Sequence, residues 1–200
     1  MFYDTRDKSR TLPHDPFKAI IAPRPIGWIT SINKKGEINL APYSYFNGVL
    51  SRPNLVMFSS EGYKDSVRNI QETGDFVCNL ATWDLREAMN ATSAPMPYGT
   101  NEMERAGLAP APSKLVKPPR VAASPAALEC RMLQIVPLRD LDGTPLDGHV
   151  VIGRVIGVYI DDRFVKNGRL DTAAMKPIAR CGYDEYALIE CMFAMTRPTA

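Results

Sequence analysis

The chain has 200 residues, 45% of them apolar, which is enough for one compact domain with a core and too few for two ordinary domains. Its net charge of +2 rests on dispersed lysines and arginines, so composition carries no nucleic-acid footprint, and any anion site must be local. The opening residues MFYDTRDKSR are charged where a secretory signal needs an apolar stretch, and no segment approaches the roughly 20 apolar residues of a membrane helix. A single domain over residues 1–200, cytoplasmic and with no membrane partner, is expected.

In chain order, residues 26–32 (IGWITSI) are rich in β-formers and run into a glycine-containing turn at 33–37, then residues 38–41, which signals a hairpin. Residues 55–60 (LVMFSS) and 76–81 (FVCNLA) are short apolar runs bounded by Pro53, Gly62 and Gly74, and read as buried strands. Between them KDSVRNIQETG predicts a short helix: Asp65 or Ser66 can cap, Val67 and Ile70 share a face, and Gly74 can end it. Residues 83–91 and 101–106 are two further helix candidates. Residues 109–125, dense in proline, are expected to form a surface loop, because proline supplies no ladder donor.

The second half returns to β, with residues 127–138 and 149–160 pairing as a long hairpin across the turn-rich stretch 140–148. Several strands, few helices and no strand–helix alternation argue for a mainly β fold, a closed or partly closed antiparallel β-barrel with attached helices. The cysteines Cys78, Cys130, Cys181 and Cys191 form no CxxC pair, and three lie in apolar runs that read as buried strands, so reduced core thiols are expected.

The chain contains no GxGxxG, Walker loop, GxSxG or HExxH, and its two histidines, His14 and His149, assemble neither a metal site nor a hydrolase triad. No catalytic side chain and no metal ligand is assigned. Two segments carry positive signals. Residues 64–69 (KDSVRN) open a helix after an apolar strand; free N–H groups and the helix dipole favour an anion there, and Lys64, Ser66 and Asn69 add donors. The same spacing suits a capped surface helix with a solvated lysine. Residues 39–46 (NLAPYSYF) leave a strand through Pro42 and can lay backbone N–H groups along the polar edge of a planar ligand. An aromatic cluster packed in the core fits them as well. Trp28, Tyr43 and Tyr45 suit a ring pocket or the core equally. Arg24, stiffened between Pro23 and Pro25, suits a phosphate contact or a solvated surface position.

Taken together, PRPIGWITS at 23–31, NLAPYSYFNGV at 39–49, KDSVRNIQETGDFVCNL at 64–80, PRVAASPAALECR at 119–131, HVVIGRV at 149–155, GRLD near Gly168 and RCGYDEY near Arg180 resemble, in order, the flavin reductase-like family. The resemblance implies an FMN-binding split β-barrel, normally a homodimer with flavin sites near the subunit interface. Members reduce flavin with NADH or NADPH, often for a partner monooxygenase, while others are flavoredoxin-like electron carriers working with another redox protein. By matching positions, Lys64, Ser66 and Asn69 would hold the FMN phosphate, with Asp65 organising the turn. Ser31, Ala41, Pro42, Tyr43, Ser44 and Ser59 would line the isoalloxazine. His149, Arg180 and Tyr183 are weaker candidates for substrate contact. Many relatives read KDT where this chain has Ser66, which keeps the hydroxyl; many read RLGG where it has Arg180-Cys181-Gly182-Tyr183, which places an aromatic where a glycine is usual and bears on substrate choice.

Overall fold

The computed structural model describes residues 2–6 and 12–198. Seven antiparallel strands form one sheet: β1 (Gly27–Ile32), β2 (Ile38–Tyr43), β3 (Phe46–Ser51), β4 (Asn54–Glu61), β5 (Asp75–Leu80), β6 (Ala126–Arg139) and β7 (Pro145–Ile160). Their spatial order is β2-β1-β5-β6-β7-β4-β3. The two outermost strands, β2 and β3, are consecutive in the chain and joined only by a bend at residues 44–45, which curls the sheet into a barrel. At that bend the Ser59 N–H donates to the Tyr45 carbonyl at 2.8 Å, which ties β4 across the join.

Strand β1 is buried on both faces. Ile29 points into the barrel with Tyr43, Phe58, Phe76, Cys78, Cys130 and Val151, while Trp28 points outward into a second apolar cluster with Leu40, Met89, Met103, Val121 and Ile178. Helix α1 (Asp65–Thr73) contributes Val67 and Ile70 to the interior cluster, and Gly74 ends it in the left-handed region at φ 81°, its N–H returning to the Ile70 carbonyl at 2.8 Å. Helices α2 (Arg86–Ala91) and α3 (Glu102–Arg105) supply Met89 and Met103 to the outer cluster.

The mainly β reading holds, with differences of detail. The helix expected at 83–91 begins as a 3-10 turn, Trp83–Leu85, before α2. The proline-rich stretch is not loop throughout: Pro110–Ala111 pairs with Arg120–Val121, because the Val121 N–H finds the Asn79 side-chain oxygen at 2.8 Å and the Lys114 and Leu115 N–H groups find the Glu129 carboxylate at 2.9 and 2.6 Å. Strand β3 lies outside every sequence-predicted element. Strand β7 starts before His149, with a register shift between Pro145 and His149 that absorbs the turn residues. Two cysteines, not three, are buried in strands: Cys78 and Cys130 are buried, Cys181 is half-buried at a turn and Cys191 is exposed beyond the last strand. None forms a disulfide.

Candidate functional site

A cleft of about 510 Å3 opens where the β2–β3 bend, the end of β4, the start of α1 and residues 92–96 converge. Its volume falls in the range of small-molecule and cofactor pockets. It is lined by Asn39, Ala41, Pro42, Tyr43, Ser44 and Tyr45 along β2 and its bend, by Ser59 of β4, by Lys64, Asp65 and Ser66 at the start of α1, and by residues 92–96 and Glu102.

The start of α1 is built to receive an anion. Lys64 occupies the N-cap position with extended backbone, φ −81° and ψ 173°, and no side chain caps the helix. Neither Asp65 nor Ser66 plays the capping role that the sequence suggests, and among the described residues no side chain accepts from the first-turn N–H groups at the cleft. Ser66 is held from behind, where the Asn39 amide donates to its hydroxyl at 2.9 Å and to that of Ser31 at 3.4 Å. Asn69 donates to the Ser31 hydroxyl at 3.3 Å and accepts from the Tyr98 hydroxyl, also at 3.3 Å.

Of the ten sequence-derived cofactor candidates, eight therefore line the cleft: Ala41, Pro42, Tyr43, Ser44, Ser59, Lys64, Asp65 and Ser66. Ser31 and Asn69 are buried one layer behind, in the hydrogen-bond network that fixes Ser66 and Asn39. Burial pushes the Tyr43 phenol above its ordinary value, opposed by the Ser66 and Ser60 hydroxyls. Burial also raises Asp65, against the opposing charge of Arg68. Glu102 is raised by burial, with the Leu40 N–H working the other way and the charge of Asp65 adding to the rise.

The three weaker candidates stand apart from this cleft. His149 pairs with Ser60 across the β7–β4 ladder and meets the Tyr63 ring edge-on at 5.5 Å between ring centres, with its Nδ1 buried and, among the described residues, without a hydrogen-bond partner. Arg180 lines a separate cleft of about 410 Å3 with Trp83, Met89 and Tyr186, stacks over the Tyr186 ring, and donates to the Tyr183 carbonyl. Tyr183 sits in the left-handed region at φ 52°, its ring meeting that of His14 edge-on with 5.9 Å between ring centres. Arg24 is not solvated: it is 6% exposed, donates to the carbonyls of Lys18 at 2.5 Å and Cys181 at 3.0 Å, and lies over the Tyr45 ring.

Sequence reasoning missed residues 92–96, Lys18, Glu61 and Glu102. Residues 92–96 are tied to the barrel by the Trp28 indole, which donates to the Thr92 hydroxyl at 2.9 Å, a contact between positions 64 apart that no local pattern announces. Glu102 had a local signal, the Asn101 side chain accepting from the Glu104 N–H at 3.2 Å as the cap of α3, but nothing pointed it at the cleft.

The sequence model described as "Flavin reductase like domain" matches residues 21–173. The chain belongs to this family. An uncharacterised protein of Halalkalibacterium halodurans, BH2278, is 35% identical over 184 residues, covering 90% of this chain and 88% of that protein. Among solved structures, nitrilotriacetate monooxygenase component B from Bacillus cereus superposes with a TM-score of 0.89 at 30% identity, covering 98% of both chains. Flavoredoxin of Desulfovibrio vulgaris shares the fold, with a TM-score of 0.78 at 18% identity over 98% of this chain and 97% of that one. The family and these neighbours support a flavin-related redox function on a split-barrel fold.

Proposed function

We propose that the protein binds FMN in the cleft, with the phosphate at the start of α1, and passes hydride from NADH or NADPH to the flavin. The observation that carries this reading is the uncapped helix N-terminus beside Lys64, opening on a cleft of cofactor size. Lys64 and the first-turn N–H groups hold the phosphate, the Ser66 hydroxyl adds a donor fixed by Asn39, and the backbone of residues 41–44 runs along the ring edge. Residues 92–96, which also line the cleft, add contacts to the bound flavin. The flavin, when bound, supplies the hydride-accepting ring, so the chain's task is binding and orientation rather than acid–base catalysis.

Removing the Lys64 cation leaves the backbone donors in place. Lys64→Ala is expected to weaken FMN binding by about 1–3 kcal/mol, the range of a charge-assisted hydrogen bond, and to change riboflavin binding much less. Flavin-fluorescence quenching titrations measure both, and equal losses for the two flavins would remove the phosphate from this helix.

The reductase reading is tested by anaerobic stopped-flow reduction of the FMN-loaded protein. Bleaching of the flavin band by NADH or NADPH is the expected result. No bleaching by either nicotinamide, with ready bleaching by dithionite, would favour the second reading, a flavoredoxin-like electron carrier on the fold shared with the Desulfovibrio protein. The name of the Bacillus cereus neighbour supports a partner monooxygenase as the consumer of reduced flavin. A cytoplasmic homodimer completes the proposal, in line with the family expectation.

A further inference from the structure

Five charged side chains line the cleft: Lys18 and Lys64 against Glu61, Asp65 and Glu102. The lining is thus already net negative before any ligand phosphate arrives. Of the three carboxylates Glu102 is the most buried, at 7% exposure, and among the described residues no cation lies within ion-pair distance of it. Its Oε2 accepts from the Leu40 N–H at 3.0 Å. The elements around it offer no relief. On α1, Asp65 shares the cleft while Arg68 is stacked on Tyr98, 4.4 Å from its ring centre. From β2 comes the neutral phenol of Tyr43, from β4 the exposed Glu61, and from residues 92–96 no charge at all; Lys18 and Lys64 stand at the exposed rim, and Glu104 and Arg105 of its own helix are exposed.

Resting on the flavin reading above, we propose that Glu102 takes up a proton when the cleft receives a flavin phosphate, so that binding of phosphorylated flavin is proton-linked and binding of riboflavin is not. A dianionic phosphate added to a net-negative, partly desolvated lining is accommodated at least cost by neutralising the most buried carboxylate, which among the described residues has no cation within ion-pair distance. Burial and the charge of Asp65 already place Glu102 above its ordinary value in the free protein, and the phosphate adds a further rise in the same direction. The sign follows: bound Glu102 holds its proton to higher pH than free Glu102, so FMN affinity is full at acid pH and falls as pH rises from the free toward the bound value.

The test is isothermal titration of FMN and riboflavin into the full chain between about pH 5 and 8.5, in buffers of different ionisation enthalpy, with Glu102→Gln alongside. The variant keeps an acceptor for the Leu40 N–H and binds the same phosphate, whose own second ionisation near pH ~6 therefore drops out of the difference. Wild type should take up a proton with FMN and not with riboflavin, and its FMN affinity should fall below that of Glu102→Gln toward pH 8.5, by about tenfold for each unit that binding raises the Glu102 value. Equal pH slopes for wild type and variant, or for FMN and riboflavin in wild type, overturn the proposal while leaving flavin binding intact. If the variant does not fold, the buffer dependence in wild type between about pH 7.5 and 8.5, where the free phosphate is already doubly ionised, decides the matter: proton uptake with FMN there supports the proposal and none overturns it. Failure of both flavins to bind overturns the flavin reading and this proposal together.

Discussion

Replacing Trp28 with alanine is expected to lower the unfolding free energy by about 3–5 kcal/mol, the cost of emptying a large aromatic site in a packed core. Trp28 is fully buried in the outer cluster, between β1 and the helices that cover it. Its indole N–H is spent on Thr92, whose hydroxyl in turn donates to the Met89 carbonyl at 2.7 Å. The substitution therefore removes packing and also frees the first residue of the segment 92–96 that lines the cleft. Urea unfolding measures the first effect and flavin affinity the second. Trp28→Phe helps to separate them: it keeps one aromatic ring in the site while removing the donor and the rest of the indole, so its stability loss should be smaller, about 1–3 kcal/mol. A Trp28→Ala protein within about 1 kcal/mol of wild type would mean that the outer cluster re-forms without the ring and leaves no costly cavity.

Asn79→Ala is the second large effect, with an expected loss of about 2–4 kcal/mol from unpaired buried polar groups. The Asn79 amide donates to the Trp28 carbonyl and to the Thr30 hydroxyl, each at 2.9 Å, and its oxygen accepts from the Val121 N–H at 2.8 Å. It is 2% exposed, so water cannot replace these partners without opening the structure. The Val121 bond is one of those that hold the proline-rich segment against the barrel, with the Lys114 and Leu115 bonds to Glu129. Besides a lower urea midpoint, the variant should show faster amide exchange at Val121 and easier proteolysis within residues 109–125. Loss of stability with no change in either local readout would assign the energy to the β1–β5 pairing alone.

The elements that sequence reasoning placed correctly are those whose signals are local. Helix α1 announces itself through the spacing of Val67 and Ile70 and through Gly74, and β1, β4 and β5 through apolar runs bounded by glycine or proline. Strand β3 carries no such signal: FNGVLS neither alternates nor is apolar throughout, and five of its six residues are exposed. It is a strand because β4 offers a partner, which is tertiary information. The candidate site divides in the same way. The stretches from Asn39 to Tyr45 and from Lys64 to Ser66 are contiguous motifs, whereas residues 92–96 and Glu102 arrive by contacts with Trp28, Leu40 and β2. Arg24 is the inverse case: its sequence suits a phosphate contact or a solvated surface position, and the structure instead encloses it with the carbonyl of Lys18, six residues away, and that of Cys181, far along the chain.

Helix α1 leaves almost no room for neutral drift. Val67 and Ile70 are committed to the barrel interior, Ser66 and Asn69 to the amide–hydroxyl network, and Lys64 and Asp65 to the cleft. Arg68 is engaged with Tyr98, Gln71 accepts from the Tyr63 hydroxyl, and the Thr73 hydroxyl returns to the Asn69 carbonyl. Among the helix residues only Glu72 is both exposed and without a side-chain partner among the described residues. A saturation library over this segment should consequently find one permissive position amid intolerant ones, because barrel closure and ligand recognition draw on the same two and a half turns and a change made for either purpose is tried by the other.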